Sequence, residues 1–325
     1  MTEKQFKNGE IIFKEKEAGD TLYQILDGKV GVFTSYGESD ERKLTELGKD
    51  QFFGEMAVIE AYPRSATTVA EGDTKVMEIS AGELNQYFEA QPDKIMDIMK
   101  HLSVRVRELT DDYTTVTNTI KDLHLGEEVK RSETLKDKIK KFASFYKNNK
   151  KMEDITSVES MRKTDKSAHS EGYGKNIEHF SKGTVIFKEG EKGNCMYDIH
   201  SGNIGIFKNY GTSDEKKLSE LGINQFFGEM GMVDNYSRSA TAVVINDDTT
   251  IETIYPTDLK ELFENNPLKV DMILEHLSYR LRKLTNDYLN ACKLVYEVSE
   301  SENNGTVSED LKKKAESFKA ENIYG

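Results

Sequence analysis

Apolar residues along this chain follow two rhythms, and the pair of rhythms occurs twice. From the start to about residue 80 they come in short β-prone runs, "IIF" (11–13), "TLYQIL" (21–26) and "KVGVF" (29–33), separated by Gly and Asp. Partial alternation over so few residues predicts short strands. Asp27-Gly28 falls between two such runs, where a hairpin needs a residue that tolerates positive φ. The rhythm then changes to steps of four and three: Ile95, Met99, Leu102, Val106, Leu109, Tyr113, Val116, Ile120, Leu123. That spacing is an a/d seam, and charged residues fill the other faces. At ~1.5 Å per residue, such a helix is roughly 43 Å long. Its first turns are expected to lie on the β structure and the rest to pair helix with helix. In "EAQPDKIMDIMKHLS" a Pro stands near the helix start, where its missing N–H does no harm.

The second occurrence is a repeat in the literal sense. "NGEIIFKEKEAGDTLYQILDGKVGVF" (8–33) matches "KGTVIFKEGEKGNCMYDIHSGNIGIF" (182–207) at an offset of 174. "KLTELGKDQFFGEM" (43–56) and "KLSELGINQFFGEM" (217–230) agree at 11 of 14 positions. Ser201-Gly202 repeats the hairpin signal. Beyond Ala70 the second copy gains one residue, and "HLSVRVRELTDDY" (101–113) then matches "HLSYRLRKLTNDY" (276–288). Its seam runs Val270, Leu274, Leu277, Leu281, Leu284, Tyr288, Ala291, Val295, Val298. Even the tails correspond, "SETLKDKIKKF" (132–142) with "SEDLKKKAESF" (308–318). A period this long is outside the range of solenoid repeats and predicts two copies of one domain. The division is therefore 1–123, a β domain with its long helix; 124–176, a charged linker with a short helix near 132–146 followed by disorder; 177–298, the second domain and helix; and 299–325, a polar tail with a short helix. Regularly spaced short strands predict a jelly-roll or barrel in each copy, so the fold class is mainly β with long helices.

Composition narrows the function. The 325 residues carry a net charge of −13 and 32% charged residues, which argues against nonspecific nucleic-acid binding. The two cysteines, Cys195 and Cys292, have no CxxC partner, so neither a structural zinc, an iron–sulfur cluster nor a disulfide scaffold is expected. The N-terminus lacks a basic stretch followed by an apolar one, and no run nears the ~18 apolar residues of a membrane span. A cytoplasmic protein without a membrane anchor is expected.

The strongest repeated stretch is "QFFGEMAVIEAYPRSATTVA" (51–70), which returns as "QFFGEMGMVDNYSRSATAVV" (225–244). A Glu and an Arg, nine residues apart, sit inside an otherwise apolar run. A buried phosphate ester must be paired, because its desolvation is otherwise prohibitive. Arg suits this, since its planar fork can give two hydrogen bonds to one phosphate. Gly54 and Gly228 allow a sharp turn before "EMAVIE" and "EMGMVD", each expected to form one short helix. Glu55 and Glu229 offer acceptors for a sugar hydroxyl. Arg64 and Arg238, then Ser65 and Ser239, follow a loop, and "ATTV" and "ATAV" are expected as strands beneath the ligand.

This pattern resembles the phosphate-binding cassette of cyclic nucleotide-binding domains, found in catabolite-activator-type (Crp/Fnr) regulators, in regulatory subunits of cyclic-AMP-dependent kinase and in cyclic-nucleotide-gated channels. The similarity covers roughly 5–123 and 180–298. It implies two eight-stranded β-rolls with flanking helices. It also implies Glu55 and Glu229 on the ribose 2′-OH, Arg64 and Arg238 on the cyclic phosphate, and backbone amides around Gly54, Met56, Ala57 and Ser65, or Gly228, Met230, Gly231 and Ser239, completing each cradle. In the family the following helix covers the base, which makes Thr110, Tyr113, Thr285 and Tyr288 candidate lid residues, the two tyrosines beside their role in the seam. The ligand implied is cyclic AMP, favoured over cyclic GMP, with no metal. Gly231 in place of Ala57 and Ser237 in place of Pro63 are expected to loosen the second site and weaken it.

No nucleophile–base constellation or P-loop suggests an enzyme. Residues 299–325 are too short and polar for a winged helix-turn-helix, so DNA binding is not expected. The reading is a cyclic-nucleotide sensor acting through an effector protein, with its two helices forming an intramolecular pseudo-dimer or a homodimer. The alternative is a scaffold with degenerate cassettes, in which each Glu and Arg form a structural ion pair. A Crp/Fnr-type transcriptional regulator is the lesser alternative.

Overall fold

A computed structural model describes residues 1–39, 41–55, 64–123, 132–149, 174–234, 237–304 and 307–318. The alternating runs form strands as expected. The first copy contains β1 (Thr2–Phe6), β2 (Ile11–Phe13), β3 (Thr21–Asp27), β4 (Val30–Thr34), β5 (Arg42–Leu47), β6 (Phe52–Phe53), β7 (Thr67–Ala70) and β8 (Thr74–Ser80). They pair antiparallel in two four-stranded sheets, β1-β8-β3-β6 and β2-β7-β4-β5. Apart from the consecutive pair β4–β5, neighbours in the sheets are not consecutive in sequence, as in a jelly roll. Phe13, Tyr23, Ile25, Val30, Leu47, Phe53 and Val76 fill the space between the sheets.

The second copy repeats this strand for strand: β9 (Ile177–Phe180), β10 (Val185–Phe187), β11 (Met196–Ser201), β12 (Ile204–Lys208), β13 (Lys216–Leu221), β14 (Phe226–Phe227), β15 (Thr241–Val244) and β16 (Thr249–Ile254). Its sheets are β9-β16-β11-β14 and β10-β15-β12-β13. The hairpins expected at these glycines do not form, because β3 and β4 lie in different sheets, as do β11 and β12; Gly28 at φ +86° and Gly202 at +78° instead turn the chain from one sheet to the other. A Cβ on Gly28 would lie 2.6 Å from the Asp73 carbonyl oxygen, so close backbone approach also demands glycine there.

The helices are α1 (Leu84–Ala90), α2 (Asp93–Lys121), α3 (Glu133–Asn149), α4 (Glu229–Asp234), α5 (Leu259–Asn265), α6 (Pro267–Asn303) and α7 (Glu309–Glu316). The seam residues of α2 and α6 are buried except Leu109, which is half-buried. The expected linker helix is α3, and the expected tail helix is α7, capped by the Ser308 hydroxyl accepting from the Leu311 N–H at 3.2 Å. The helix expected over "EMGMVD" is α4. Its counterpart over "EMAVIE", the remainder of the linker at 150–173 and the end of the tail lie outside the described residues.

Two compact units are present, and their boundary does not follow the repeat. One groups the first roll through Ala81 with α2 from Glu108 on, α3, and α6 from Leu281 on. The other groups Gly82–Arg107 of the first copy with the second roll and α6 up to Arg280. In the first unit the helices pack on each other. Tyr288 of α6 meets Phe142 edge-on at 6.4 Å and Phe145 at 4.8 Å, and Tyr146 meets Tyr296 at 5.3 Å. Lys141 of α3 reaches Asp112 of α2 at 3.2 Å. Burial pushes the Cys292 thiol up to about 12 and raises the Tyr288 hydroxyl, chiefly by the same cause.

Candidate functional site

Each roll buries one arginine in the same way. Arg64 precedes β7 and Arg238 precedes β15, and they are only 4% and 5% exposed. The backbone at each arginine is held on both sides. The Arg64 N–H donates to the Glu17 carbonyl and its own carbonyl accepts from Lys16, both at 2.8 Å. Arg238 does the same with Glu191 at 2.7 Å and Gly190 at 2.9 Å. The guanidinium of Arg64 lies over the Phe13 ring at 4.2 Å and near Tyr23 at 5.7 Å. Arg238 has Phe187 at 4.2 Å and Tyr197 at 5.6 Å. A cation over aromatic faces is stabilised without a carboxylate, which leaves its charge available to an anion.

Glycines shape the cradle. Gly54 and Gly228 turn the chain at φ +79° and +78°, as the sequence predicts. Their carbonyls accept from Nη1 of Arg64 at 2.9 Å and of Arg238 at 2.5 Å. A Cβ on either would stand 2.6 Å from that Nη1. Gly19 and Gly193, which the sequence reading did not single out, close the other wall: a Cβ there would fall 2.2 Å from Arg64 Nε or 2.6 Å from Arg238 Cζ. Gly231 is a third close approach, with a Cβ 2.9 Å from Arg238 Nη1 and 3.1 Å from the Gly193 Cα. Its lack of a side chain lets the helix seat against the arginine, a role different from the loosening expected on entropic grounds. The counterpart Ala57, with Met56 and Pro63, lies outside the described residues. Ser65 is half-buried, whereas Ser239 is exposed.

The carboxylates are buried too, Glu55 at 2% and Glu229 at 1% exposure. In the second copy the Glu–Arg ion pair of the scaffold alternative is not formed. Arg238 donates instead to carbonyls, with Nη2 on Cys195 at 3.0 Å besides Nη1 on Gly228. Glu229 pairs with Arg280 of α6, whose Nη2 also meets the Met230 Sδ at 3.8 Å. Arg238 Nε is buried without a hydrogen-bond partner, an orphaned donor in a cradle a Cβ would fill, and this fits an anionic ligand. In the first copy, burial pulls the Arg64 guanidinium below its usual value, while Tyr23, Glu55, Asp20 and Glu17 act in the opposite direction.

The four lid candidates all lie on the long helices. Tyr288 meets Phe142 edge-on and Phe145 at a tilt in the helical contact, and the Thr285 hydroxyl donates to the Leu281 carbonyl of its own helix at 2.7 Å. Tyr113 is buried, and Thr110 half-buried, on α2.

The second roll holds one further charged cluster. Lys269, at the start of α6, places Nζ 2.7 Å from Asp198 on β11 and also against Glu252 on β16. His200 Nε2 is 2.9 Å from the same Glu252. Hydrogen bonds to Asp198 and Glu252 push the imidazole up to about 9. Two buried carboxylates are thus balanced by the protein's own two cations. Register explains the grouping, since Asp198 and Glu252 face each other across the β11–β16 ladder. The facing pair in the first roll is Gln24 and Met77.

The sequence profile of the cyclic nucleotide-binding domain family matches residues 3–91 and 177–266, and the chain belongs to that family. Among curated proteins it is 32% identical over 104 residues to the cyclic AMP receptor protein of Thermus thermophilus, covering 32% of this chain and 48% of that one. It is 25% identical over 246 residues to the cAMP-dependent protein kinase regulatory subunit of Debaryomyces hansenii, covering 76% of this chain and 42% of that one. The chain thus spans about half the length of these relatives or less. Among solved structures it is similar to the regulatory domain of Toxoplasma gondii PKA with cAMP, at 15% identity and a TM-score of 0.26, covering 81% of this chain and 84% of that one. No helix among the described residues is long and apolar enough to cross a membrane.

Proposed function

We propose that this protein is an intracellular sensor of a cyclic mononucleotide, cyclic AMP rather than cyclic GMP, that acts through an effector protein. The observation that carries the reading is the buried arginine in each roll, held over two rings and walled by glycine, with Arg238 keeping an orphaned Nε. Such a group needs a compact anion, and a cyclic phosphate matches its size and planar donors. Arg64 and Arg238 take the phosphate. Glu55 and Glu229 accept from the ribose hydroxyl, the latter while shared with Arg280. Amides from Gly54 to Ala57 with Ser65, and from Gly228 to Gly231 with Ser239, close the cradle. Thr110, Tyr113, Thr285 and Tyr288 are the lid candidates on the two long helices. Contacts of α3 with both long helices, Lys141 with Asp112 of α2 and Phe142 with Tyr288 of α6, support a pseudo-dimer formed within one chain.

Calorimetric titration of cyclic AMP, and separately cyclic GMP, into wild type, Arg64→Ala and Arg238→Ala tests this. Each substitution leaves a buried phosphate unpaired at a cost of ~2–5 kcal/mol. That is roughly 30- to 3,000-fold in affinity at its own site. Two saturable sites, each lost with its own arginine, are expected. Absence of heat and of thermal shift with either nucleotide returns the protein to the scaffold reading.

A further inference from the structure

Helix α4 carries Glu229, Met230 and Gly231, and two arginines from two different copies grip it. Arg280 of the second copy's own helix pairs with Glu229. Arg107 belongs to α2, the helix of the first copy, and its Nη2 donates to the Met230 carbonyl at 3.4 Å. Arg107 does not reach there alone. Phe88 of α1, also from the first copy, meets Phe263 of α5 edge-on at 5.8 Å, and both rings are buried. Residues 82–107 are thus part of the second roll's compact unit. The repeat makes the exchange reciprocal in composition. Arg282, the counterpart of Arg107, is buried in the first roll's unit, whereas Arg105, the counterpart of Arg280, is exposed.

We propose that Arg107 is a positioning residue for the second nucleotide site, supplied by the first copy. The inference rests on the cassette reading of 225–244. A guanidinium on the Met230 carbonyl fixes the backbone of the residue between the carboxylate on Glu229 and the close approach at Gly231. Any movement of α4 on ligand binding then changes the Arg107 contact. Because α2 is continuous from Asp93 to Lys121, the change is delivered to the first copy's helix. The second site is therefore read by, and depends on, a segment that lies outside its own repeat.

Arg107→Met keeps most of the aliphatic stem and removes the donor. Amide exchange of the ligand-free full chain is the first arm. A peptide spanning 228–234 should exchange at least about threefold faster in the variant, with β9–β16 unchanged. Unchanged exchange at 228–234 overturns the proposal, whether or not any nucleotide binds. Cyclic AMP titration is the second arm, in wild type and in an Arg64→Ala background that leaves only the second site. Arg107→Met should weaken the second site about tenfold and leave the first within about twofold. It should also abolish any difference in second-site affinity between the two backgrounds. Equal weakening at both sites overturns the proposal in favour of general destabilisation. Arg107→Lys, charged but unable to reach with a fork, should fall between; a loss equal to that of Met supports a guanidinium-specific contact. If wild type binds no nucleotide, the cassette reading fails, and the exchange arm alone decides the positioning role.

Discussion

The two cassettes share a cradle and differ in what surrounds it. The distances from guanidinium to rings agree within 0.1 Å, at 4.2 and 5.7 Å for Arg64 and 4.2 and 5.6 Å for Arg238. Each arginine donates to the carbonyl of the glycine ten residues before it. Around this common centre, Thr21 becomes Cys195 and Asp20 becomes Asn194. The second guanidinium gains a carbonyl contact on Cys195 and loses a neighbouring acid. Its Glu229 is held by Arg280, and its roll is tied to α6 by Lys269. Duplication preserved the buried arginine with its rings and glycines and left their electrostatic setting free to diverge. The expectation that Gly231 and Ser237 weaken the second site concerns backbone entropy alone. A more electropositive and better-braced Arg238 opposes it.

The largest effect that separates the copies should come from Lys269. Lys269→Met leaves two buried carboxylates with His200 as their one remaining cation in the cluster and should cost ~3–5 kcal/mol of stability in chemical denaturation. Its repeat counterpart Lys94, half-buried, pairs with the exposed Asp97 one helical turn away at 2.7 Å. Lys94→Met should therefore change stability by less than about 0.5 kcal/mol. Equal losses would mean that the Lys269 cluster does not brace α6.

A smaller effect is expected at the walls. Gly193→Ala and Gly19→Ala each put a methyl against the guanidinium. Among the described residues, displacement breaks two carbonyl contacts for Arg238 and one for Arg64. Gly193→Ala should weaken its site by about tenfold or more, and Gly19→Ala its own site by less. Nucleotide titration of the two variants orders them, and the reverse order would contradict the bracing of Arg238.

The smallest effect is on pH dependence. His200, half-buried, is raised from 6.5 to about 9 in the folded protein. A raised histidine contributes stabilisation that is fully present below about 6.5 and is lost as the pH rises through about 9. His200→Leu, which installs the residue of the first copy, Leu26, should remove the fall in thermal midpoint between those limits. A fall that persists unchanged assigns it to other groups.

Much of this was legible because it is local. Strand runs, turn glycines and the four–three seam each depend on spacing within a few residues, and the repeat doubled every signal, whereas the sheet each strand joins is not local and made the expected hairpins at Gly28 and Gly202 turns between sheets. Gly54, Arg64 and Ser65 stood out for the same reason. Arg280 and Arg107 did not, since on a heptad helix a charged residue between apolar ones reads as a solvated face. Gly19 and Gly193 looked like ordinary turn glycines, and their wall function appears only once the arginine packs on them. The Asp198–His200–Glu252–Lys269 cluster combines two strands and a helix start that are far apart in sequence.

The sequence by itself determined two jelly rolls, two long helices and the repeated glycine, glutamate and arginine of the proposed cassettes. All of these follow from periodicity and residue chemistry that act over short spans. Tertiary structure decided the partners. It set Glu229 against Arg280 rather than Arg238, drew Arg107 of one copy to the cassette of the other, and placed residues 82–107 with the second roll. Long side chains from different elements are assigned to one another by packing geometry, and one-dimensional spacing carries no record of that geometry.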